Sequence, residues 1–69
     1  MRQIPILAPV ALIEDLPGAR LTKGHLGTVV EHLERDGEEA VLVEFSDSDG
    51  QTYATEALRP NQLMVLHHN

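Results

Sequence analysis

The stretch "EHLERDGEEAVLVEFSDSDGQTYATEAL", residues 31–58, decides the fold. It carries two Asp-Gly pairs, Asp36-Gly37 and Asp49-Gly50, each set between apolar runs. Glycine accepts positive φ without steric cost, so Asp-Gly flanked by such runs marks a tight hairpin. Between the pairs, residues 39–45 alternate: Val41, Val43 and Phe45 share one face, and Leu42 and Glu44 the other. A period of two means a strand covered on one side. Residues 51–58 read as the next strand, with Thr52, Ala54 and Leu58 leaning inward and Tyr53 pointing out.

Upstream, residues 25–33 read as a strand entering the first hairpin. Gly27 lies inside it, which predicts either a close approach of another backbone or a bend. Residues 10–14 form a first short strand, with Val10 and Leu12 on one face. The ten residues between, "DLPGARLTKG", make a long loop for so small a domain. Such loops are functional or pack back on the body. Downstream, "RPNQ" predicts one turn of 3-10 helix, because Pro60 cannot extend a ladder. Residues 63–66 supply the fifth strand. The division is thus an irregular leader over 1–8, a folded domain over 9–66 and a tail over 67–69.

Five short strands, a long early loop, two tight hairpins and a 3-10 turn before the last strand predict an all-β fold, a small five-stranded SH3-like barrel. Closing the sheet removes the exposed edges that a small β protein tolerates least. The expected core is Val10, Leu12, Val29, Val41, Val43, Phe45, Leu58, Leu63 and Val65. Phe45 and Tyr53 are the only aromatics, so aliphatic side chains must fill it.

At 69 residues one domain is expected, and a chain this short buries only about 60% of its unfolded surface. Self-association would add to so thin a margin. Eleven acids against five bases give a net charge of −6, which opposes a polyanion. Cysteine is absent, which removes disulfides, thiolate metal sites and a cysteine nucleophile, and fits a reducing cytoplasm. No run approaches the roughly 20 apolar residues of a membrane span. The start, "MRQIPILAPVALIED", does not read as a signal peptide: Pro5 and Pro9 interrupt its apolar run and Glu14-Asp15 end it.

Taken together, "VALIEDLPGARLTKGHLGTVVEHL", "VEFSDSDGQTYATEAL" and "LMVL" resemble a bacterial family of small single-domain proteins of unknown function. Gly24, Gly27, Thr28, Val29, Glu31, Glu44, Phe45, Asp47, Gly50 and Thr52 match its pattern. The resemblance implies an SH3-like barrel and assigns no catalytic residue. Members are often encoded beside another small reading frame, some of them toxin-like, which implies a two-gene partner system.

Several motifs invite chemistry and do not sustain it. "KGHLGTVV", residues 23–30, resembles the Gly-x-x-Gly-x-Val entry of RNA-binding KOW-like domains. Such domains need basic loops and stacking aromatics. Here only Lys23 and His25 are at hand, and acids crowd the following hairpin, so barrel architecture is the expectation. "FSDSDGQTYATE", residues 45–56, partly mimics a calcium loop, but its first ligand position is Phe45, which cannot coordinate. His67 and His68 are adjacent and would point to opposite strand faces. The histidines are His25, His32, His67 and His68, and a zinc site without cysteine would need three or four His and carboxylates drawn from distant segments. Whether His67-His68 is native is left open by the sequence. No catalytic residue, metal ligand or cofactor is therefore expected.

The expectation that remains is a non-enzymatic acidic protein-binding module. The acids Asp15, Asp47 and Asp49 would draw in a basic partner protein, and Tyr53 with Leu16 would anchor it. The partner would be neutralised in the manner of an antitoxin or immunity protein. An accessory subunit of an enzyme complex is the first alternative, and an RNA-binding KOW-like domain the second. Neither nucleic acid nor membrane is expected as a partner.

Overall fold

The computed structural model of the chain describes residues 4–66. The five strands are β1 Pro9–Leu12, β2 Leu26–Arg35, β3 Glu38–Ser46, β4 Thr52–Leu58 and β5 Leu63–Val65. Single turns of 3-10 helix cover Pro17–Ala19 and Pro60–Gln62. All five strands join one antiparallel sheet in the order β4-β3-β2-β1-β5. The all-β class, the strand count and the 3-10 turn before the last strand agree with the sequence. The ladder itself is open, with β4 and β5 as its edges, so hydrogen bonding among the described residues does not close it into a barrel.

The β2–β3 hairpin is the two-residue turn that Asp-Gly favours. Arg35 pairs with Glu38, and both central residues have positive φ, 53° at Asp36 and 80° at Gly37. That is the mirror-image turn whose twist suits flanking strands. The β3–β4 connection is longer. The Asp47 N–H donates to the Gln51 carbonyl at 2.9 Å, and the Gly50 N–H donates to the Asp47 carbonyl at 3.0 Å.

Two bulges bend the sheet. Val29 pairs with Val43 and Glu31 with Leu42, which leaves Val30 as an extra residue in β2. Phe45 pairs with Ala54 and Ser46 with Thr52, which leaves Tyr53 as the extra residue in β4. An inserted residue kinks its strand and increases the local twist.

The core consists of Val10, Leu12, Leu21, Val29, Val41, Val43, Phe45, Leu58 and Leu63, all buried. Eight of these were expected from alternation alone. Leu21 is the addition: it lies in the long loop yet is 1% exposed. A bridge between Leu16 and Leu21 folds that loop over the turn at Pro17–Ala19, so the loop does pack back on the body. Val65 is half-buried against the core and not fully inside it. It sits on a three-residue edge strand, where neighbours cover it from one side only. Thr52 is exposed despite the expected inward lean, because the bulge at Tyr53, the second residue of β4, breaks the alternation between Thr52 and Ala54.

Residues 4–8 have no regular structure but are tied down. The Leu7 N–H donates to the Val29 carbonyl, the Val29 N–H to the Ala8 carbonyl, and the His32 ring nitrogen Nε2 meets the Ile4 carbonyl. The tail with His67 and His68, like residues 1–3, lies outside the described residues.

Candidate partner-binding surface

Tyr53 is the bulged residue of an edge strand, and its side chain is 48% exposed. Bulges re-aim side chains, and this one brings the phenol ring against His25. The ring centroids are 6.2 Å apart and the planes cross at 64°, an edge-to-face arrangement that the aromatic quadrupole favours. His25 is itself held in place, with its Nδ1 3.0 Å from the Thr22 backbone N–H and its own N–H donating to the Thr22 carbonyl at 3.1 Å. The exposed tyrosine is therefore oriented by its neighbours.

The three acids differ in what they do. Asp47 Oδ1 accepts the N–H of Asp49 at 2.9 Å and that of Gln51 at 3.0 Å, folding the hairpin tip around its own side chain. Asp15 Oδ1 accepts the Lys23 N–H at 2.8 Å, which pins the two ends of the long loop together. Asp49 is exposed at the tip of the β3–β4 connection. Asp47 and Asp15 thus shape their loops while still carrying charge, and Asp49 is the most freely displayed of the three.

Leu16 is half-buried and packs against the core. Its side chain serves chiefly to seat the loop. Asp15 bonds the Lys23 N–H, two residues before the His25 that meets Tyr53. Asp47 follows β3 by one residue, at the end where β2 begins opposite it. The structure thus brings Tyr53 and His25 together, ties Asp15 to the far end of the β1–β2 loop, and sets the Asp47–Gly50 tip just before β4.

His25 was not expected as the partner of Tyr53. No local pattern signals it, because His25 lies just before β2, and β3 separates β2 from the β4 strand of Tyr53. A separate groove of about 350 Å³ is lined by the β2–β3 hairpin and the residues that follow β4, including Glu34, Glu38, Glu39 and Arg59. None of the five candidate residues lines it. No helix among the described residues is long and apolar enough to cross a membrane.

The fold and this surface define a small all-β domain with a single open antiparallel sheet and acidic loops. The chain belongs to the family described as Domain of unknown function (DUF4926), whose model matches residues 6–65. The match agrees with the resemblance drawn from the sequence to a small family of unknown function. No curated protein and no solved structure matches the chain.

Proposed function

We propose that this chain is a non-enzymatic, cytoplasmic protein-binding module that engages a basic partner protein and holds it inactive, as an antitoxin- or immunity-like small protein does. The observation that carries the reading is Tyr53: an exposed aromatic set on a bulge, oriented by His25, near a hairpin tip that displays Asp47 and Asp49. Tyrosine is enriched among the residues that dominate binding energy, since it offers large rigid area at low entropic cost. Acids beside it speed encounter with a positive surface, an effect that fades with salt. The net charge of −6 acts in the same direction, and it opposes nucleic acid as the alternative partner.

The test is an affinity capture from the source cell at low salt, followed by kinetics with the purified partner. Asp49→Asn is expected to slow association, with a weaker effect at high salt. Tyr53→Ala is expected to speed dissociation, at a cost of about 2 kcal/mol or roughly 30-fold in Kd. Unchanged kinetics for both variants would overturn the reading.

A further inference from the structure

The register of β1 assembles a second surface that no single segment reveals. Val10 and Leu12 point into the core, so Pro9, Ala11 and Ile13 take the opposite face. Ala11 pairs with Leu26 on one side and with Met64 on the other. The Ile13 N–H donates to the Gln62 carbonyl and the Leu66 N–H to the Pro9 carbonyl, so the register persists at both ends. Leu66, Pro9, Ala11, Ile13, Leu26 and Met64 therefore share one outer face across β5, β1 and β2. Leu26 is 59% exposed, Met64 54% and Ile13 39%. Single exposed apolar residues are ordinary, but a contiguous set on one sheet face marks an interaction site.

Two carboxylates stand at the border of this face. Glu44 flanks it on β3, across Thr28, which pairs with Pro9. Glu14 flanks the other end beside Ile13, and its Oε2 accepts the Gln62 amide at 3.0 Å. Neither β1 nor β5 contains a lysine or arginine, and the one on β2, Arg35, stands at its far end. A second copy would bring the same carboxylates against these. The edge of β4 is a weaker candidate for docking, because its bulge and the half-buried Glu56 on its inward face discourage strand addition.

We infer that the outer face of β5, β1 and β2 is a docking surface for a protein whose apolar patch is bordered by lysine or arginine, with Leu26, Met64 and Ile13 as its centre. The inference rests on the partner-binding reading and adds a second apolar contact to that of Tyr53, with the acidic loops steering the approach. Apolar centres with polar rims are the common anatomy of such interfaces.

The test uses the full chain, isotope-labelled, titrated with three synthetic peptides: two amphipathic ones, leucine with lysine and leucine with glutamate, and an all-polar control of serine with lysine. The leucine-lysine peptide is expected to shift the amides of Ala11, Ile13, Leu26 and Met64 most. The double variant Leu26→Gln, Met64→Gln should weaken its binding by about tenfold or more with thermal unfolding unchanged, since both side chains are exposed. The serine-lysine peptide should bind far more weakly. Equal binding of the leucine-glutamate peptide would overturn the charge requirement. A dimer in sedimentation that the double variant dissolves would assign the face to a second copy and overturn the inference. Shifts centred on Asp47, Asp49 and Tyr53, unaffected by the double variant, would overturn this face and leave the proposed function standing. Absence of binding by the leucine-lysine peptide overturns this face as well, while the proposed function keeps its own kinetic test at Asp49 and Tyr53.

Discussion

Gly27→Ala adds one methyl group where β2 is clamped between two neighbours, Val10 on β1 and Phe45 on β3. The new Cβ would lie 2.6 Å from Val43 Cγ1, 2.9 Å from the Glu44 carbonyl oxygen and 3.0 Å from Phe45 Cδ1. The oxygen belongs to the β3 backbone, and both side chains are 0% exposed in the core, so none of the three can swing aside. Overpacking of this kind costs about 1–3 kcal/mol. Loss of glycine's unfolded-state freedom returns about 0.4–1 kcal/mol, which leaves a net destabilisation of about 1–2 kcal/mol. In a domain of this size each kcal/mol moves Tm by about 4–8 °C, so a fall of roughly 5–15 °C is expected by calorimetry or circular dichroism. Gly18→Ala is the control: nothing lies within 4 Å of its added Cβ, and its Tm should hold or rise slightly. An unchanged Tm for Gly27→Ala would refute the close β2–β3 approach that orders the sheet here.

Three further outcomes are expected. Phe45→Ala removes the largest fully buried side chain and should cost about 3–5 kcal/mol, enough to leave much of the chain unfolded at 37 °C by circular dichroism, given a total stability of about 0.05–0.15 kcal/mol per residue. Asp47→Ala removes the acceptor of two backbone N–H groups and should cost about 1–2 kcal/mol, whereas Asp47→Asn keeps that oxygen and should stay close to wild type in urea unfolding. The chain should show no sub-micromolar binding to RNA at about 150 mM salt, a level beyond what ordinary non-specific binders reach; such binding in a filter or anisotropy assay would show that "KGHLGTVV" is an RNA clamp after all.

What the sequence by itself determined is what short-range chemistry controls. Alternation separated Val41, Val43 and Phe45 from Leu42 and Glu44, because successive side chains of a strand must face opposite ways. The Asp36-Gly37 pair located its hairpin, because few residue pairs accept two positive φ angles in succession. Pro60 ended β4 and opened a 3-10 turn for want of an N–H. The tertiary structure decided whatever depends on segments meeting across the chain. Leu21 lies in a polar, glycine-containing loop, and only the bridge to Leu16 carries it into the core. Tyr53 became a bulge because the β3–β4 register slips by one residue there, a sum over the whole ladder that no window of sequence contains. Whether the edges β4 and β5 pair was likewise invisible to local pattern. Leu26 and Met64 are far apart in sequence, and each alone looks like an ordinary exposed residue. They became one surface because β1 pairs with both of their strands and Ala11 stands between them.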